Sequence, residues 1–415
     1  MPSRLMVDLE PLKESRDFRL LFSSYLISML GNQMTTVAIP FQTFELTHSS
    51  LQVGLVSLAQ LVPLIIGSLL GGTAGDALDR KRIILYTSLA SAITSGAMAL
   101  NAAAAHPSLL ELYLISALAA GLVGFANPSR NAAVAVLVRP TSLVAAYSLN
   151  QMVIQVAVIV GPMMAGLLLA GPGLAWTYGL DAASFIVAAG AIVFLRPMPP
   201  EHEGGRPGLS AIAQGFRYLR GRKVIQGIFA LDLDAMIFGM PRALFPAMAA
   251  EIYHVGTTGL GLLYAAPGVG ALIGAGTTGW VNEITRRGRA VAVAVALWGV
   301  SITVFGLSDS FIVGLVMLAL AGWADVISAV LRSTMLQTRI PDSFRSRLSS
   351  FQMAVVTGGP RLGDLEAGTV AAVSSTEFSV VSGGIACILG AVALARLLPD
   401  FWSERSGDVE APTEP

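Results

Sequence analysis

Cysteine, charge and histidine are all scarce in this 415-residue chain. The single cysteine, Cys387, excludes an intramolecular disulfide and any cysteine-based metal cluster. It reads as a small apolar side chain in the last apolar stretch. Charged residues make up 13% of the chain, against about 25% in an ordinary soluble domain. Lys and Arg number 26, as do Asp and Glu, so no net field draws the chain to nucleic acid. The four histidines, His48, His106, His202 and His254, are scattered between apolar stretches without metal-ligand spacing. There is no Ser/His/Asp cluster and no phosphate loop, so neither an enzyme nor a resident cofactor or metal is expected.

What is abundant is apolar sequence. Hydrophobic residues make up 54% of the chain, and the mean hydropathy is +0.69. A helix needs roughly 20 such residues to cross the hydrocarbon core. Twelve stretches qualify. The first six run near Phe18–Glu45, Leu51–Ala77, Ile83–Ala105, Leu109–Val138, Leu143–Ala170 and Leu174–Leu195. The second six run near Val224–Ile252, Thr258–Ile284, Ala290–Leu307, Ser310–Thr338, Arg345–Val373 and Phe378–Leu398. Hydropathy alone also permits eleven or thirteen, because several joins are very short.

The distribution of positive charge selects twelve. Arg and Lys cluster at the N-terminus, at Arg80–Arg82, in Arg196–Lys223, at Arg286–Arg289, at Arg339–Arg347, and at Arg396 and Arg405. The intervening gaps, around His48, His106, Pro172, His254, Asp309 and Ser375, carry none. This alternation is the positive-inside pattern of a multi-pass membrane protein with both termini in the cytoplasm. Residues Met1 to Asp17 are polar, and the first apolar stretch has no convincing cleavage site, so it reads as a retained span. The expected layout is an N-terminal six-helix bundle (1–195), a cytoplasmic linker (196–223), a C-terminal six-helix bundle (224–402) and a disordered tail (403–415). In the linker, Leu209, Ile212, Phe216 and Leu219 recur at helical spacing, either as an amphipathic helix on the inner leaflet or as a partly ordered turn.

Charge inside a span is costly, at least about 2.5–3.5 kcal/mol on insertion scales, so each retained charge is a candidate. Asp232 and Asp234 lie in the seventh span, two apart, and point in widely different directions. Asp325 and Arg332 lie in the tenth, seven apart, and need partners on other helices. Arg361 and Asp364, in the eleventh, are three apart and can pair directly; Glu366 lies on another face. A carboxylate in a low-dielectric cavity takes up a proton more readily, which antiport requires. Asp234 leads the candidates for a proton site, followed by Asp232, Glu366 and Asp325. Ion pairs that only fix helix packing are the competing reading.

Local motifs resemble the major facilitator superfamily. After the second span, Gly71 to Arg82 is similar to its Gly-x-x-x-Asp-Arg-x-Gly-Arg-Arg loop. Gly72, Asp76, Arg80 and Lys81 match, whereas Ala77 and Asp79 depart. Gly161-Pro162-Met-Met-Ala-Gly166 resembles the Gly-Pro-x-x-Gly-Gly motif of exporters, with Ala165 the departure. Arg242 to Ala247, Leu262 to Ala266, Gly270 to Gly274 and Thr334 to Thr338 resemble the branch that exports catecholate siderophores of the enterobactin type.

The resemblance implies two pseudo-symmetric six-helix bundles in the bacterial inner membrane, working by alternating access. It implies proton-driven export of a small molecule by a monomer, with multidrug efflux as the alternative cargo. It also implies roles. Asp76 would latch to Arg130, both near the cytoplasmic surface. Asn32, Gln33, Asn127, Phe238 and Trp323 would line the cavity. Arg242, toward the outer side, would bind an anionic group or reach the interface. A channel, a sensor and a membrane-embedded enzyme are the readings from other classes.

The orientation is open to test by single-cysteine labelling on a Cys387→Ser background. Ala105→Cys and Ser374→Cys are expected to react with an impermeant maleimide in intact cells, and Ser403→Cys only after permeabilisation. The reverse pattern would overturn the positive-inside assignment.

Overall fold

The computed structural model describes residues 8–199, 222–339 and 342–404. The amphipathic stretch expected at 209–220 and most of the tail lie outside these residues. All regular structure among the described residues is helical. A short helix, α1 (Glu10–Glu14), precedes α2 (Arg16–Thr47), α3 (Ser50–Ala77), α4 (Arg80–Ala103), α5 (Leu109–Leu137), α6 (Leu143–Ala170) and α7 (Leu174–Val193). The second series is α8 (Lys223–Phe238), α9 (Gly256–Gly276), α10 (Arg287–Leu307), α11 (Phe311–Arg339), α12 (Asp342–Val373), α13 (Thr376–Leu397) and the short α14 (Pro399–Trp402). Among the described residues, ten helical segments are long and apolar enough to cross a membrane. The two remaining long helices, α2 and α12, have 32 residues each but are more polar. Twelve long helical segments result, most within a few residues of the hydropathy boundaries; the eighth, expected to reach Ile284, ends as an α-helix at Gly276 and continues only as a 3-10 segment over Thr278–Glu283.

The seventh segment departs from expectation. It does not run as one helix from Val224 to Ile252. It is α-helical to Phe238, breaks at Gly239-Met240-Pro241, and resumes through a 3-10 turn (Arg242–Leu244), a short α-turn (Phe245–Ala247) and a π-turn (Met248–Ile252). Pro241 removes one ladder donor, but Pro40, Pro63, Pro128, Pro162, Pro267 and Pro360 lie inside continuous helices, so the break belongs to Gly239 and Pro241 together and not to a proline alone. The freed Gly239 carbonyl accepts from Trp298 Nε1 at 2.6 Å, a repair that membrane helices require.

Exposure is inverted relative to a soluble protein. On α4, Thr87, Ser88, Ser91, Thr94, Ser95 and Asn101 are buried, whereas Tyr86, Leu89, Ile93 and Leu100 are exposed. With lipid as solvent, apolar side chains face outward and polar groups find partners inside. Two connections repeat a backbone device. His48, between α2 and α3, and His254, before α9, both adopt positive φ (47° and 52°), which lets very short joins reverse the chain.

By its internal contacts the chain forms two compact units. Among the described residues, one comprises 8–46 and 59–199, and the other 47–58, 222–339 and 342–404. The first turns of α3 therefore pack with the second unit, where Gly54 and Gly368 allow close approach to α12. Inside the first unit, Gly67, Gly71 and Gly75 of α3 meet Gly121, Phe125 and Ser129 of α5. Inside the second, Gly270 and Gly274 of α9 meet Ala319 and Trp323 of α11. The second and fourth helices of each half are thus joined by one kind of seam, in which a missing Cβ admits a backbone carbonyl.

Gly67→Ala would drive a methyl group into the Gly121 carbonyl, whereas a Cβ at Gly96 meets nothing within 4 Å. We expect Gly67→Ala to destabilise by about 1–3 kcal/mol and Gly96→Ala to be neutral or slightly stabilising. Thermal unfolding in detergent checks this, and equal effects would remove the seam from the account.

Candidate functional site

In the first unit a cavity of about 150 Å³ opens among α2, α4, α5 and α7. One face of α2 supplies Tyr25, Ser28, Met29 and Asn32, at helical spacing. The α4 helix supplies Thr87, Ser88 and Ser91, α7 supplies Phe185, and α5 supplies Leu122, Val123, Ala126, Asn127 and Arg130. Two expected lining groups, Asn32 and Asn127, are therefore brought together. Gln33 is not with them, because its Cβ lies where Gly161 of α6 makes room for it. Gly161 and Pro162 are buried at that contact.

Arg130 was expected to latch to Asp76. It lies about 10 Å, or seven residues, inside the C-terminal end of α5. It is only 9% exposed, and its guanidinium sits 5.0 Å from the centre of the Tyr25 ring. Nη1 has no hydrogen-bond partner. Among the described residues no ion pair joins it to Asp76, so the expected latch is not made. The Tyr25 contact is worth about 2 kcal/mol when desolvated, less than the several kcal/mol that burying an unpaired guanidinium costs.

The signature loop has a local role instead. Asp79, where the superfamily pattern has Gly, caps α4 by accepting from the Lys81 amide at 2.9 Å, and also accepts from the Met198 amide at 3.0 Å. The Arg80 amide donates to the Met198 carbonyl at 3.1 Å, and Lys81 Nζ to the Val193 carbonyl at 2.8 Å. Arg80 and Lys81 thus tie the α3–α4 turn to the end of α7. Gly72 is half-buried, one residue off the α3–α5 seam, and Asp76 is half-buried near the end of α3.

A further acid in this unit was not among the expected site residues. Asp181 of α7 is 1% exposed and has no cation among its partners. Its Oδ2 accepts from Thr35 Oγ1 at 2.6 Å and from Ser95 Oγ at 2.8 Å, while Oδ1 is unsatisfied. The only sequence signal was an acid inside a span; its hydroxyl partners lie on two other helices. One turn away, Tyr178 donates to Gln42 at 2.9 Å. Gln42 donates to Asn101 at 3.1 Å, and Asn101 to Glu111 at 2.8 Å.

The second unit treats its charges differently. Arg332 Nη2 lies 2.8 Å from Asp232 Oδ1 and 3.8 Å from Asp325 Oδ1, and Nη1 donates to Ser328 at 3.0 Å. Asp232 supplies a cross-helix partner of the kind Arg332 was expected to need, although no particular residue was expected in that place. Asp325, placed too far along the helix by a rise argument, is nonetheless reached by the long Arg side chain. Asp364 was expected to pair with Arg361. Instead it accepts from Ser57 Oγ at 2.6 Å and from the Ala243 amide at 3.1 Å, while Arg361 Nη1 donates to the Thr357 carbonyl of its own helix at 3.0 Å. Arg242 is half-buried at the start of the resumed segment. Its charge acts on Asp364 and Asp325, and Asp364 also feels Arg361. Arg332, Asp232 and Asp325 form an ion-pair network, and the charges of Arg242, Arg361 and Asp364 lie close enough to act on one another beside it.

Asp234 and Glu366 lie outside it. Asp234 faces α13, where the absence of a side chain at Gly390 leaves space for its carboxylate, and its Oδ2 has no partner. Glu366 is half-buried on α12. Phe238 ends α8, and its carbonyl lies against Gly383. Trp323 donates to Thr277 Oγ1 at 3.0 Å and stacks on Trp280, with centroids 6.5 Å apart, so it is engaged at the end of α9. Among the described residues no cluster of His, Cys, Asp or Glu could hold a metal ion.

Twelve long helices, most of them apolar enough to cross a membrane, describe a multi-pass membrane protein, and its relatives make it a transporter of the major facilitator superfamily and not an enzyme. The chain belongs to the family described as transmembrane secretion effector, which it matches over residues 7–411. It is 30% identical over 396 residues to the enterobactin exporter EntS of Citrobacter koseri, covering 95% of each chain. The same figures hold for EntS of Escherichia coli O1:K1 / APEC. The nucleoside transporter NupG shares the fold with a TM-score of 0.74 at 11% identity, covering 92% of this chain and 99% of that one. A bacterial homolog of the human lysosomal transporter Spinster, solved inward-facing and unoccupied, has a TM-score of 0.73 at 15% identity, covering 94% and 98%.

Arg332→Leu would leave Asp232 buried and unpaired, which we expect to cost about 3–5 kcal/mol. Removing both charges, in Asp232→Asn with Arg332→Leu, is expected to cost less than Arg332→Leu alone. A double-mutant cycle on thermal unfolding measures the coupling; additive effects would break the pair.

Proposed function

We propose that this protein is a secondary exporter of the bacterial inner membrane that moves a catecholate-type siderophore outward in exchange for protons. The observation that carries this reading is the 30% identity, over 95% of each chain, to proteins named as enterobactin exporters. The domain plan is two six-helix bundles (1–195 and 224–402) joined by the 196–223 linker, working as a monomer by alternating access. Asn32 and Asn127 contact cargo in the first bundle.

Proton coupling needs a carboxylate that changes charge during the cycle. Asp232 and Asp325 share Arg332, an ion-pair partner that suits them to serve as conformational locks. Asp234 lies outside that network with an unpartnered oxygen, which supports it as the leading proton site, with Glu366 next. In the outward-facing state Asp234 takes a proton from the more acidic side; in the inward-facing state it releases it to the cytoplasm.

The test is flux in proteoliposomes with an imposed pH gradient, offering iron-free catecholate siderophore beside a lipophilic drug cation. Siderophore flux is expected to follow the gradient. Asp234→Asn is expected to lower the gradient-dependent component by about tenfold or more, equivalent to about 1.4 kcal/mol in the driven step. Flux of the drug alone would move the protein to the multidrug class, and siderophore flux indifferent to the gradient would remove proton coupling.

A further inference from the structure

We propose that the first-unit cavity is a subsite for a single aromatic ring bearing an anionic oxygen, and that Arg130 is its anion-binding residue. The inference rests on the transport reading only in calling the ligand cargo; the binding itself is measured directly.

The charge argument comes first. Arg130 is nine-tenths buried in the cavity wall, and Nη1 has no partner. The Tyr25 ring covers its guanidinium, and no carboxylate among the described residues forms an ion pair with it. Nη1 itself has almost no accessible surface, so it would meet an anion only after a small shift of the side chain; a buried cation in a cavity wall with no counter-charge beside it is matched by an anion that arrives and leaves. Each intramembrane Arg of the second unit, by contrast, has carboxylates acting on it.

Size and lining define the rest of the ligand. The cavity holds about 150 Å³, room for one benzene ring, and is open on one side, so it seats a ring without enclosing the rest of the ligand. Tyr25, Phe185 and Leu122 offer apolar or aromatic surface, while Asn32 and Asn127 supply amide donors and acceptors for neighbouring oxygens. A benzoate or an ionised catechol satisfies both requirements. A lipophilic cation does not, since Arg130 would repel it. A larger cargo with several such rings would insert one arm at a time.

The test uses the full-length protein in lipid nanodiscs and isothermal titration with 2,3-dihydroxybenzoate, the uncharged 2,3-dihydroxybenzamide and inorganic phosphate. The benzoate is expected to bind at least about tenfold more tightly than the amide or phosphate. Arg130→Gln is expected to bring benzoate and amide to equal affinity, and Arg130→Lys to keep part of the preference. Should Arg130→Gln fail to fold, Ala126→Leu, which fills the cavity and leaves the charge, is expected to abolish binding of both rings. Equal affinity for benzoate and amide in the wild-type protein, an unchanged preference in Arg130→Gln, or full binding in Ala126→Leu would each overturn the proposal. Phosphate binding as tightly as benzoate would overturn the aromatic requirement. Wild-type protein that discriminates the two rings but carries no siderophore would support the subsite and count against the export reading.

Discussion

Inside a hydrocarbon layer there is no water to satisfy a polar group, so every buried charge and every interrupted backbone bond needs a protein partner or a ligand. The architecture can be read as a set of answers to that constraint. In the second unit the answer is internal. Arg332 bridges Asp232 and Asp325, Arg242 acts on Asp325 and Asp364, and Arg361 lies close enough to act on Asp364. The break in the seventh helical segment obeys the same rule. The Gly239 carbonyl is taken up by Trp298, and the Ala243 amide, at the start of the resumed helix, donates to Asp364. Asp364 thus complements both a helix N-terminus and two cations.

In the first unit the answer is incomplete, and the incompleteness is informative. Arg130 has a ring beneath it but a free donor, and Asp181 has two hydroxyls but no cation. Neither compensates the other: Arg130 lies near the C-terminal end of α5, whereas Asp181 lies early in α7, which crosses in the same direction. Groups left unpaired in this way are where a transporter has freedom to gain a ligand or a proton. The glycine seams between α3 and α5, and between α9 and α11, hold the helices around them by close backbone approach, without polar bonds that would have to break.

Much of this was legible in the chain. Hydropathy placed twelve segments, because length and apolarity are local properties that the bilayer reads directly. The acids of the seventh and tenth segments were visible as costly exceptions that need partners, but that Arg332 meets Asp232 was visible only in the structure. Other features were missed for identifiable reasons. Gly239-Met240-Pro241 was present as a breaker, but the surrounding hydropathy concealed it. Asp79 was read as a lapse in a motif, although it caps α4 and holds the end of α7. Gln33 and Trp323 were chosen by residue type, and that choice did not foresee that Gln33 has its Cβ against Gly161 or that Trp323 stacks on Trp280.

The sequence by itself determined a chain that must be helical, must cross a membrane repeatedly and must neutralise charge within its spans. Those conclusions depend on properties that each segment carries alone: length, apolarity and the positions of Arg and Lys. Only the tertiary structure decided which charges are neutralised, by whom, and which are left open. Arg130, Asp181 and Asp234 resemble Arg332, Asp232 and Asp364 in sequence terms, each being a charge set inside a membrane-spanning segment. They differ because partnership is fixed by what neighbouring helices present at the same depth, and no single segment encodes that.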